Sequence, residues 1–174
     1  MLTWPKLLII LKLPRWSSLV VGFDPSFPYK GGKGQGEGRY VYKTGTASAR
    51  RTSEGPWRDD QKHGRGTYRF ASGEVYEGVF ANDTMHGHGT YGSADGGVYE
   101  GQFEDGKQHG LGTARHANGT VHMGRYEAGK LFEGAEWSPD RKTTWGNKGG
   151  KDVGKISADV AAKIVEALGM SVPK

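Results

Sequence analysis

Histidines and glutamates are the residues in this chain whose types and spacing could do chemistry. His63, His86 and His109 stand 23 residues apart, with His88 two residues from His86, and imidazole is the commonest side-chain metal ligand. Glu54, Glu77 and Glu100 recur at the same step and would offer carboxylates for acid/base work. The run GKGQGEG at 32–38 has the look of a GxGxxG-type phosphate loop. Ser72, Ser93 and Ser138 are the candidate nucleophiles.

Each candidate is judged by the element that must hold it. A shared ion needs its ligands a few ångströms apart. Copies on successive hairpins stand about 10 Å apart when strands are 4.7–4.9 Å apart, so the histidine column is expected to hold no metal and to donate to backbone carbonyls at the turns. No buried strand precedes the glycine run and no helix follows it, so the context of a nucleotide loop is missing. The serines lack a nucleophile elbow, and the glutamates are equivalent strand positions facing solvent. The chain has no cysteine, which removes disulfides, thiolate metal sites and thiol catalysis. The expectation is a protein that is not an enzyme, with no catalytic residue, no metal site and no cofactor.

What positions these residues is an internal repeat. In 76–97, YEGVFANDTMHGHGTYGSADGG, the residues Tyr76, Glu77, Gly78 and Phe80 return as Tyr99, Glu100, Gly101 and Phe103. His86 and Gly87 return as His109 and Gly110, and Gly73, Gly96 and Gly119 mark the same 23-residue step. Alternation of period two puts Tyr76, Gly78 and Phe80 on one strand face and Glu77 and Val79 on the other. Asn82-Asp83 and Asp95-Gly96 supply hairpin turns. Gly opposite an aromatic ring lets the ring lie flat across the neighbouring backbone. Between 53 and 140 there is no Ile, and Leu occurs only at Leu111 and Leu131, so the interior must be aromatic rings over glycine.

The pattern YEGxF, a polar turn, HGxGTY and a second turn with Gly resembles the MORN repeat (membrane occupation and recognition nexus), over about 34–141. The first copy stands 28 residues from the next instead of 23, which predicts an extra loop over 46–52, and the last decays at Phe132 and Glu133. The predicted fold is mostly β, an elongated single-layer antiparallel sheet of consecutive β-hairpins with a short C-terminal α-helix. The predicted organisation is a basic apolar arm at 1–33, the array at 34–145, a Gly/Lys linker at 146–155 and an amphipathic helix at 156–169. Ser157 caps that helix, and Ile156, Val160, Ile164 and Leu168 form its stripe, widened by Ala161 and Val165. It is expected to cap the array by burying the stripe on the aromatic lane, with docking to a partner as the alternative.

Residues 1–22 carry Lys6, Lys12 and Arg15 and no acid around the apolar run 7–11. That run is too short and interrupted to span a bilayer. A secretory signal is weakened by Lys12 and Pro14. An organelle leader, an interfacial segment flanked by Trp4 and Trp16, and an arm folded back on the repeats remain open. Base exceeds acid in 1–75 and in 142–174, whereas 76–141 holds five Lys and Arg against ten Asp and Glu.

Proteins with MORN arrays use them as non-catalytic modules in cytoskeletal and ciliary scaffolds, at membranes, and as regulatory parts of lipid kinases and a histone methyltransferase. With about 33 residues after the array, the chain is expected to stand alone as a scaffold or regulator. The resemblance implies a protein partner, a helix or extended segment, received by an aromatic groove of Tyr76, Phe80, Tyr91, Tyr99, Phe103 and Tyr126. The second reading is a peripheral tether to anionic phospholipid, phosphoinositides included, with Lys6, Lys12, Arg15, Lys30, Lys33, Arg50 and Arg51 as its basic footprint. The acidic central repeats favour the first reading. Nucleic acid is not expected, because bases and rings are not interleaved. Unpaired sheet edges would allow self-association. The expected location is the cytoplasm, on the cytoskeleton or cilium or peripherally at a membrane.

Overall fold

The 23-residue step is two antiparallel strands and two tight turns. The computed structural model describes residues 20–22, 29–30, 33–43 and 50–173, and the side chains of 33–39 and 51–173. In chain order the strands are β1 (Val20–Gly22), β2 (Tyr29–Lys30), β3 (Lys33–Gly34), β4 (Gly36–Lys43), β5 (Arg50–Arg58), β6 (Gln61–Lys62), β7 (Gly64–Arg69), β8 (Val75–Ala81), β9 (Thr84–Gly92), β10 (Val98–Glu104), β11 (Lys107–Arg115), β12 (Val121–Glu127), β13 (Lys130–Trp137), β14 (Thr144–Lys148) and β15 (Lys151–Ile156), followed by the helix α1 (Ala158–Ala167). From β8 onward every strand pairs with its sequence neighbours, in one 13-stranded open sheet that begins β1-β4-β5-β7, with β6 paired to β5 off that path. Strands β2 and β3 make a separate small hairpin.

The turns follow from local chemistry. Asn82 and Asp83 take φ of 49° and 68°, the left-handed pair that matches the strand twist in a two-residue hairpin and that Asn and Asp tolerate. The second residue of each turn then ties its hairpin to the one before. The N–H groups of Asp83, Gly106 and Gly129 donate to the carbonyls of Lys62, Met85 and Gln108, at 3.0, 3.0 and 2.9 Å.

Across the strands, residues of one kind line up. One row reads Gly66, Gly78, Gly89, Gly101, Gly112, Gly124 and Gly134. Beside it on the same face runs Tyr68, Tyr76, Tyr91 and Tyr99. A Cβ on Gly89 would stand 2.5 Å from the Tyr76 hydroxyl and 2.6 Å from its ring, and one on Gly101 would meet the Gly112 Cα at 2.5 Å and the Leu111 carbonyl at 2.6 Å. The Tyr76 and Tyr99 rings therefore lie on a bare glycine track. Their hydroxyls reach forward along their own strands, Tyr76 donating to the Val79 carbonyl at 3.0 Å and Tyr99 to that of Gln102 at 3.1 Å.

Three expectations are corrected. Residues 50–52, expected in the loop over 46–52, belong to β5, which pairs with β4 continuously from Arg50 opposite Lys43 to Trp57 opposite Gly36. The linker at 146–155 is a hairpin: β14 pairs with β13 and β15, and Gly149 and Gly150, at φ of 62° and 73°, make its turn. The open edge of β13 is a template that even a polar, Gly-rich strand can join through its backbone.

The helix corrects the third. It packs on the sheet, but on the face opposite the rings. Val121 and Met123 take the outward positions held by Val98 and Glu100 one repeat earlier, and with Ala135 and Trp137 they form a floor on which Ala161 and Val165 are fully buried. The small Ala161 lets the helix approach, while Val160 stays exposed, so the buried stripe is turned from the one centred on Val160 and Ile164. Ser157 caps as expected, its hydroxyl accepting from the Val160 N–H.

Three substitutions test these contacts. Gly101→Ala would press on rigid backbone and on the buried Tyr99 hydroxyl and should cost about 2–3 kcal/mol in urea unfolding, whereas Gly92→Ala, whose added Cβ meets nothing nearer than the Val75 carbonyl at 3.9 Å, should change stability by less than about 1 kcal/mol. Met123→Glu restores the acid of the other repeats beneath the helix and should release α1, seen as loss of helical circular dichroism with the sheet signal retained.

Candidate functional site

The ring face is the most distinctive surface. Tyr76 and Phe80, Tyr76 and Phe103, Tyr99 and Phe103, and Tyr99 and Tyr126 meet edge to face at 5.0 to 5.2 Å, the geometry their quadrupoles favour. Each repeat thus covers the rings of its neighbour. The exposed groove expected of Tyr76, Phe80, Tyr91, Tyr99, Phe103 and Tyr126 is corrected accordingly: five of the six are at most 4% exposed, and Tyr91 alone is half-buried. These rings are the core of a single-layer sheet that has no second layer to supply one.

What remains open is the rim of the lane. Phe70, Met85, Tyr91 and the edge of Phe103 line a shallow depression bordered by Lys107, Gln108 and Gly129. Phe70 and Tyr91 meet edge-on at 6.3 Å, and both are half-buried, as is Met85. The period holds the signal that would have found it, because Lys62, Met85 and Gln108 stand 23 apart. Lys62 fills the equivalent junction one repeat earlier. Its ammonium lies 5.0 to 5.7 Å from the centres of the Trp57, Tyr68 and Phe80 rings and 2.7 Å from Asp83, a cation held by rings and an acid.

The opposite face is polar ahead of the helix. A row of Glu54, Thr67, Glu77, Thr90, Glu100 and Thr113 crosses it, with Arg39 at 2.8 Å from Glu54 and Arg65 at 3.9 Å from Glu77. These are exposed pairs of small energetic worth.

Of the basic footprint, Lys6, Lys12 and Arg15 lie outside the described residues. Lys30 and Arg50 are placed by backbone alone, Lys33 is exposed and 3.8 Å from Asp59, and Arg51 is exposed. The described helix is not long and apolar enough to cross a membrane.

The histidine column also departs from expectation. His63 faces the Arg58 guanidinium at 3.3 Å and His109 the Glu104 carboxylate at 3.3 Å, because each ring reaches across its own hairpin to a side chain instead of to a turn carbonyl. Among the described residues no group of three His, Cys, Asp or Glu is arranged to hold a metal. At the C-terminal end of the ring row, where Tyr99 would predict another tyrosine, stands His122, with Ala114 on one side and Glu136 then Trp145 on the other. Its Nε2 is 3.0 Å from Glu136 and its Nδ1 is 3.4 Å from the Nε2 of His116. Burial, then the facing His116, lower the His122 pKa to about 4. Burial raises that of Glu136, with Asp152 adding and His116 opposing. Desolvation outweighs the mutual attraction of the pair, so His122 is neutral near pH 7 and donates its Nε2 proton to the carboxylate.

A single-layer sheet of identical hairpins, cored by one side chain lane and offering two broad faces, defines a repeat module. The MORN repeat model matches residues 29–47, 54–75, 76–98 and 99–121, half of the chain, and the chain belongs to the MORN repeat family. No curated protein matches it. Hairpins of the same sheet continue from 122 to 156, beyond the last match. A chain of this family is a repeat scaffold or binding module.

The buried phenols give a pH signature. Burial raises Tyr76 from 10.0 to about 12 and raises Tyr99 and Tyr126 further. A folded-state pKa above the unfolded one favours the protonated fold, so this stability is intact below pH 10 and is lost as pH climbs through 12. Ultraviolet titration of the eight tyrosines should show at least three ionising only together with loss of the sheet. Full ionisation near pH 10 with the sheet intact would contradict it.

Proposed function

We propose that the protein is a non-catalytic scaffold that holds an apolar protein segment, helical or extended, along the rim of its ring lane. The observation that carries this is the open depression of Phe70, Met85 and Tyr91 beside rings that are themselves buried. Half-buried aromatic and thioether edges over a rigid floor are the kind of surface on which a few anchors dominate binding. Lys107 on its border favours a segment that carries an acid next to its apolar anchors. The buried rings of Tyr76, Phe80, Tyr99 and Tyr126 are out of reach of such anchors, and their role is to keep the rim rigid. The use of MORN arrays in cytoskeletal and ciliary assemblies supports a place in such an assembly, in the cytoplasm, and the exposed Lys33 and Arg51 leave phosphoinositide membranes as the competing partner.

Affinity capture from ciliated-cell extract with the full chain tests the reading when paired with two charge insertions. Met85→Arg should abolish capture of a stoichiometric protein partner, and Thr90→Arg, on the opposite face of the same strand, should leave it within twofold. The reverse pattern would place the interface on the polar face. Salt-sensitive sedimentation of the same chain with phosphoinositide vesicles, unaffected by Met85→Arg, would replace the scaffold reading with the membrane one.

A further inference from the structure

The ring row is broken at one place, and the break has its own chemistry. Three positions that carry rings earlier in the array carry none of those rings here: Phe70 gives way to Ser93 and then His116, Tyr91 to Ala114, and Tyr99 to His122. Losing the phenol at Ala114 opens the space in which the His116 and His122 rings meet, with centroids 4.4 Å apart and planes inclined by 59°. Their facing nitrogens, Nε2 of His116 and Nδ1 of His122, share a long hydrogen bond at 3.4 Å whose donor depends on the tautomer, so a metal ion between them would take the place of that proton.

We infer that His116 and His122 form a two-imidazole site for a divalent transition-metal ion of the zinc or copper class, with Glu136 as the carboxylate that orients His122. Two ligands at metal–nitrogen distances of about 2.0–2.1 Å and a tetrahedral angle are separated by roughly 3.4 Å, which is the spacing found. The second nitrogen of His122, Nε2, lies 3.0 Å from Glu136, and a ligating histidine ordinarily gives its other N–H to such an acceptor. That bond fixes the proton on Nε2 and leaves the Nδ1 lone pair directed at His116. With two protein donors the remaining coordination positions belong to water, which implies a weak, exchangeable ion and not a structural one. The column of His63, His86 and His109 has no such pair.

Titration of the full-length chain with zinc alone, followed through the imidazole proton resonances of all six histidines, is the test. One equivalent should shift or broaden the His116 and His122 signals first and together. His116→Ala and His122→Ala should each weaken binding at least tenfold, and Glu136→Gln roughly tenfold. Glu136→Asp should recover part of the loss, and His109→Ala should leave binding unchanged. The wild-type resonances need no variant to be folded, so they decide the matter by themselves. Zinc perturbing all six histidines alike, or leaving His116 and His122 unmoved, would overturn the site.

Discussion

Tyrosine rings lying on a track of glycines are the constraint on which the rest of this structure depends. A single-layer sheet has no opposing layer to bury its side chains, so it must make a core on its own surface. Removing the side chain at every strand crossing of the glycine row lowers the surface by the thickness of a ring, and the tyrosines of the adjacent row lie down into that space. Once flat, Tyr76 meets Phe80 of its own repeat and Phe103 of the next edge to face, and Tyr99 meets Phe103 and then Tyr126. Burial, stacking and strand register are then one interaction counted along the array, which is why the hairpins depend on their neighbours.

The same arrangement separates the two faces by role. The ring face is apolar, closed along its centre and open at its rim. The other face is a ladder of Glu and Thr until the final repeats, where Met123 replaces the acid and a helix covers it. Fold and binding surface are therefore decided by a handful of substitutions on a constant backbone: Lys62 or Met85 at the junctions, Tyr or His in the ring row, Glu or Met on the outer row.

Much of this was legible in the sequence because it is periodic. The hairpins, their turns at Asn82-Asp83 and Asp95-Gly96, the facing of Tyr76 against Glu77 and the flat rings over glycine all follow from the 23-residue step. What depended on contacts between copies was not. Nothing in Tyr76 or Tyr99 alone says that a neighbouring Phe103 or Tyr126 will cover it, so the lane reads as a groove when it is a core. The segment 146–155 reads as a linker because its backbone, not its side chains, holds it to β13 and β14. The stripe of the helix says how much it buries but not on what, and the face it covers is set by Val121 and Met123, whose apolar character is visible only against the Glu100 column.

Native-state hydrogen exchange measures the central claim directly, since it reads the stability of each strand separately. If ring-over-glycine packing holds the array together, the amides of β8 to β11, flanked by Tyr76, Tyr91 and Tyr99, should exchange most slowly, with protection falling toward β4 at one end. Equal protection of β4 and β10, or faster exchange in β8 to β11 than in the terminal hairpin of β14 and β15, would show that the stability comes from elsewhere.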